Sequence, residues 1–94
     1  MIERQNEIQF LNQQRERLER RIRYARAVVN TGGPHAILKA QTLPMLIRAR
    51  NKITYGNYFI CDDCNGPINK KRLRHIPGAI KCERCQTRGE SLLH

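Results

Sequence analysis

Acid is scarce through the middle of this chain. Between Glu19 and Asp62 no Asp or Glu occurs, while Arg20, Arg21, Arg23, Arg26, Lys39, Arg48, Arg50 and Lys52 all fall there. Over 94 residues, 18 Lys and Arg stand against 8 Asp and Glu, a formal charge of +10. Such an excess points to a polyanion or an acidic protein surface as partner. Long apolar runs are missing too: no stretch of about 18 residues could form a membrane-spanning helix. The opening Met1-Ile2-Glu3-Arg4-Gln5 has no apolar run of signal-peptide type, so a cytoplasmic protein without a membrane partner is expected. No nucleophile–base set or phosphate-cradling glycine loop can be assembled, and the expected class is not an enzyme.

Cysteine is confined to four positions, in two pairs: Cys61-Asp62-Asp63-Cys64 and Cys82-Glu83-Arg84-Cys85, with 17 residues between them. Two CxxC turns joined by a loop of that length can close four thiolates around one tetrahedral Zn²⁺. Disulfides would need an oxidising compartment. A redox CxxC would want a βαβ context, and iron–sulfur clusters commonly use other spacings. One structural zinc held by Cys61, Cys64, Cys82 and Cys85 is the expected cofactor. With every position filled by sulfur, no open site for an activated water remains. So short a chain buries a limited core, and a metal staple is what it needs.

Glycine and proline do not occur before Gly32. The first segment therefore predicts one long helix, about 2–30, with Ile8, Leu11, Leu18, Ile22, Ala25 and Val29 on the a and d positions of a heptad grid and Arg15 as the polar intruder. Asn30-Thr31-Gly32-Gly33-Pro34 then predicts a stop, a loop over 31–34 and a restart. A second helix is expected over about 34–53, with Leu43, Leu46, Ile47 and Ile53 inward and a kink near Pro44. The expected fold is mainly α: an antiparallel helical hairpin of coiled-coil type over 1–54, followed by a small four-cysteine zinc-finger module over 55–94. Gly56, Gly66, Pro67, Pro77, Gly78 and Gly89 punctuate the module, and a short last helix is expected from Gln86 to Leu93. Tyr55, Tyr58 and Phe59 read as an apolar cap over the metal rather than a platform for stacked bases, and Asp62 and Asp63 as solvated.

The run Tyr58-Phe59-Ile60-Cys61-x-x-Cys64-Asn65-Gly66-Pro67-Ile68, then Arg72-Leu73, Pro77 and Cys82-x-x-Cys85-Gln86, resembles the DksA/TraR C4-type zinc finger over about 29 residues. Phe59 stands where the family usually has glycine, and Asn65 where glycine follows the second cysteine. Asparagine tolerates left-handed backbone better than most residues. The resemblance implies a bacterial, phage-borne or plasmid-borne transcription regulator that binds core RNA polymerase directly, of the secondary-channel type, and reads no promoter itself. Long members of the family carry acids at the coiled-coil tip. Here residues 30–35 have none, and Glu3 and Glu7 are the acids available near an end.

The candidate partner-binding residues are therefore Glu3, Glu7, Arg20, Arg23, Lys70, Lys71 and Arg74, with Arg72 assigned instead to a role within the knuckle. The alternative reading is a basic zinc-binding protein that contacts DNA or RNA directly, through the hairpin and the Lys70–Arg74 run. A heptad seam that recruits another helix is the third. A monomer is expected.

Overall fold

A computed structural model describes the backbone of residues 2–92 and the side chains of residues 6–88. Four helices follow in order: α1 (Ile2–Thr31), α2 (Pro34–Tyr55), α3 (Lys70–His75) and α4 (Glu83–Leu92). Helices α1 and α2 pack against each other, and no sheet forms among the described residues.

The turn between α1 and α2 is built by Gly32 and Gly33, with φ of 77° and 94°. Those left-handed values are open to glycine at little cost, and Pro34 then opens α2 with its φ already fixed. At the far end, Gly56 takes φ 85° and its N–H bonds the Ile53 carbonyl, while the Asn57 N–H reaches the Lys52 carbonyl at 3.0 Å. This pair of bonds satisfies carbonyls that a helix end would leave orphaned. Inside α2 the helix runs on through Pro44. Pro44 and Ala40 are both exposed, so the carbonyl deprived of its donor lies where water can serve it. The Thr42 hydroxyl donates back to the Lys39 carbonyl at 3.2 Å.

One core runs through the hairpin and the C-terminal module together: Leu18, Ile22 and Ala25 of α1, Leu46, Ala49 and Ile53 of α2, and Tyr58, Ile68, Leu73 and Ala79 beyond. Burying side chains of the Leu and Ile type contributes about 1.5–3 kcal/mol each. The buried face of α1 departs from the heptad grid in its first third. Ile8 is 56% exposed and Arg15 is exposed, while Phe10 and Gln14 are buried. The inward sequence is thus Phe10, Gln14, Leu18, Ile22 and Ala25, mostly in steps of four rather than alternating fours and threes. The reason is a change of neighbour. Phe10 stacks on Phe59, with ring centroids 6.0 Å apart, so this end of α1 meets the module and not α2 alone.

Candidate metal centre and its polar supports

Each half of the site is a tight turn whose backbone is spent on its own cysteine. In the first, an isolated bridge between Ile60 and Pro67 brings the chain back on itself, with Cys61 N donating to Gly66 O at 2.8 Å. Asn65 closes that turn in the left-handed region at φ 60°, the conformation its residue type tolerates. The backbone N–H groups of Asp63 and Cys64 approach Cys61 Sγ at 3.4 and 3.5 Å, and Gly66 N–H approaches Cys64 Sγ at 3.4 Å. A Cβ at Gly66 would stand 3.3 Å from that same sulfur. The second knuckle continues into α4, with Gln86 N bonded to Cys82 O at 3.0 Å.

The four sulfurs of Cys61, Cys64, Cys82 and Cys85 lie within 4.8 Å of one another, and Cys64 Sγ is 3.8 Å from Cys82 Sγ. A tetrahedral zinc with bonds of about 2.3 Å requires sulfurs about 3.8 Å apart, so the thiols fit one Zn²⁺. Cys61 and Cys85 are buried, Cys82 is half-buried and Cys64 is exposed. Burial alone would push the Cys61 thiol up, but N–H groups of Cys64, Cys82 and Asp63 aimed at its sulfur outweigh that and bring it to about 6. Cys85 is driven the other way, by Cys82 and Cys64 beside it. Such a set already holds part of the thiolate charge that the metal requires.

Around the sulfurs the module is tied down by side chains. Arg72 Nε donates to Lys81 O at 3.1 Å, crossing from α3 to the second knuckle, the internal role its place in the sequence suggested. Asn69 caps α3 by accepting from Lys71 N at 2.7 Å. Asp62 is not a solvated bystander: Arg48 holds its carboxylate through Nε at 2.9 Å and Nη2 at 3.2 Å, and Lys52 Nζ lies 3.0 Å away. The Arg48 hydrogen bond, aided by Lys52, keeps that carboxyl below the ordinary Asp range against the opposing effect of burial. Tyr58 is buried in the core and Phe59 packs half-buried against it, whereas Tyr55, expected in the same apolar cap, is 76% exposed at the end of α2 and takes no part in it. His75 is exposed, outside the sulfur cluster.

The remaining candidates are scattered. Glu7 is exposed on α1, and Glu3 falls outside the described side chains. Arg20 is paired with Glu16 at 2.6 Å, and Arg23 is exposed on the same helix. Lys70 and Arg74 come together over the Phe10 ring, at 5.0 and 5.6 Å from its centroid, while Lys71 is exposed. Three contributors escaped the sequence reading: Gln14, Arg48 and Lys52. For Lys52 a signal existed, since it shares the inward arc of α2 with Ala49 and Ile53.

Comparison with known proteins agrees with this geometry. Residues 53–90 match the prokaryotic dksA/traR C4-type zinc finger. The whole fold is similar to a solved structure from Chlamydia trachomatis L2 described as an RNA polymerase binding protein and transcriptional regulator, Dks. The TM-score is 0.70 at 25% identity, covering 88% of this chain and 90% of that one. No curated protein matches the chain by sequence. With four thiols set for one zinc ion and both knuckles inside the match, the segment 53–90 is similar to the dksA/traR C4-type zinc finger, and the helical frame is similar to that of the Chlamydia protein.

Proposed function

We propose that this protein is a cytoplasmic, non-enzymatic regulator of transcription that binds RNA polymerase directly, the zinc module docking outside the secondary channel and the helical part reaching toward it. One observation carries the reading. The likeness to an RNA polymerase binding protein extends over 88% of the chain, so it includes the hairpin as well as the finger. The molecule is elongated, 48 × 32 × 20 Å, and α1 alone spans 30 residues, about 45 Å of helix. Such a shape suits a probe that reaches into a cleft. The acid-free stretch of basic residues suits an acidic protein surface around that cleft, with Arg20 and Arg23 on α1 and Lys71 on the module as contacts. Glu7 is the acid available for the end of α1 that points away from the Gly32–Gly33 turn.

Direct nucleic-acid binding is the weaker alternative. Arg72 is bonded to Lys81 O, and Lys70 and Arg74 lie against Phe10, so most of that basic run has work inside the fold. The test is gel filtration of the zinc-loaded protein with core RNA polymerase at several salt concentrations. Co-elution at micromolar protein and low salt, competed away by another secondary-channel binder, is expected. Separate elution under those conditions overturns the proposal. A salt-dependent duplex DNA shift without polymerase binding would favour the alternative.

A further inference from the structure

Lys52 is fully enclosed, with none of its surface open to water. A buried ammonium costs several kcal/mol unless charge and hydrogen bonds compensate it. Three acceptors do so here: Ile60 O at 2.5 Å, Asp62 Oδ1 at 3.0 Å and Ile80 O at 3.3 Å. An ammonium has three N–H donors, so none is left over. The addresses of the acceptors matter more than their number. Ile60 immediately precedes Cys61, Asp62 immediately follows it, and Ile80 lies two residues before Cys82. One side chain from the last turn of α2 therefore grips the chain entering both CxxC knuckles. Asp62 N–H donating to Ile80 O at 2.8 Å closes the arrangement.

We propose that Lys52 is a positioning residue for the zinc site: it sets the spacing of the two knuckles and couples zinc binding to the docking of the module on α2. Four thiolates and one Zn²⁺ carry two net negative charges, and Asp62 adds a third. Lys52, with Arg48 paired to the same carboxylate, supplies positive charge where this negative charge collects. A hydrophobic residue of the same length would fill the space but hold neither carbonyl. Because Lys52 belongs to α2, any free energy it adds to zinc binding is returned by zinc as order in α2. The inference concerns the metal site alone and stands whatever partner the protein binds.

The test uses the full chain with Lys52→Met, which keeps the stem and removes the ammonium. Zinc affinity is read by competition with a chromogenic chelator, and amide hydrogen exchange over residues 46–55 is compared with and without zinc. Removing an outer-shell partner lowers metal affinity by about 10–100-fold, and that loss is expected here. In the wild type, zinc is expected to slow exchange in the last turns of α2, an effect reduced in the variant. Affinity unchanged to within about twofold, far below such losses, would overturn the positioning role. Weaker binding with undiminished zinc-dependent protection of α2 would overturn the coupling. Should K52M fail to fold at saturating zinc, Asp62→Asn decides: reduced affinity and reduced protection support the proposal, and wild-type values of both overturn it.

Discussion

Gln14 and Tyr58 meet in the protein interior although 44 residues separate them, the Gln14 amide nitrogen donating to the tyrosine hydroxyl at 3.0 Å. The same nitrogen donates to Leu73 O at 2.5 Å, and the tyrosine hydroxyl donates onward to Pro77 O at 2.7 Å. Arg17 completes the set, giving one N–H to Gln14 Oε1 at 3.0 Å and another contact to Arg74 O at 2.8 Å. A satisfied buried network of this kind fixes one arrangement of α1 on the module, since each misplacement would strand a polar atom. Burial pushes the Tyr58 hydroxyl above its ordinary range, so it stays protonated and remains a donor at neutral pH.

Tyr58→Phe should therefore cost about 1–3 kcal/mol, the penalty for leaving buried groups without a partner. Adding Gln14→Leu should cost less than the sum of the single changes, with a coupling of about 0.5–3 kcal/mol. Urea unfolding of the zinc-loaded single and double variants measures this. Strict additivity would mean that the two side chains contribute separately.

Zinc binding should also depend on pH in a defined way. The metal takes thiolates, so every sulfur still protonated in the free protein must release its proton. Cys85 is raised above the ordinary thiol value and keeps its proton through the neutral range. It alone should weaken apparent zinc affinity by about tenfold for each unit that pH falls. Cys61, lowered to about 6, is already thiolate at pH 8 and adds its own proton to the competition only as pH drops below 6. The plot of log affinity against pH should rise with a slope of at least about 1 from pH 6.5 to 8 and be steeper below pH 6. Chelator competition across that range checks it; a flat plot would show that Cys85 is not protonated when the metal arrives.

The metal site and the helical frame were legible because each follows from local rules. Four cysteines in two CxxC turns specify a tetrahedral thiolate set, and the glycines at 32, 33 and 56 sit where left-handed turns end or join helices. Asn65 was readable for the same reason. What stayed hidden was long-range. A heptad grid assumes one partner along the whole helix, so it placed Ile8 inward, whereas α1 meets the module near Phe10 and its buried face turns accordingly. Gln14 and Lys52 are buried and Asp62 is paired through partners 8–59 positions away, and although the arc of α2 marks Lys52 as inward, nothing local announces which groups these side chains meet.

Asn65 offers a narrow test of local strain. Its φ of 60° is one that asparagine visits and a β-branched residue does not. Asn65→Val should lower stability by about 1–2 kcal/mol, the cost of forcing an ordinary side chain into left-handed backbone. Asn65→Gly should stay within about 0.5 kcal/mol of the parent, because relief in the folded turn is offset by a more mobile unfolded chain. Thermal melts of the zinc-loaded variants give the ordering, and equal melting of the valine and glycine variants would show that this turn relaxes to another conformation.

Gly78 tests the docking of the module on α2. It is buried, and a Cβ added there would stand 3.0 Å from Leu46 Cδ2 and 3.8 Å from Met45 Cε. Leu46 is 8% exposed and belongs to the core, so its freedom to retreat is small. Gly78→Ala should cost about 1–3 kcal/mol by overpacking. Leu46→Ala alone should cost about 2–5 kcal/mol through the cavity it leaves. Combined, the new methyl enters the space the leucine vacates, and the double variant should be more stable than the two separate losses imply. Chemical unfolding followed by helix content reads all three. The outcome bears on whether hairpin and zinc module unfold as one unit: if Gly78→Ala proves neutral, the module can shift off α2 freely, and the shared core does not bind the two parts into a single cooperative structure.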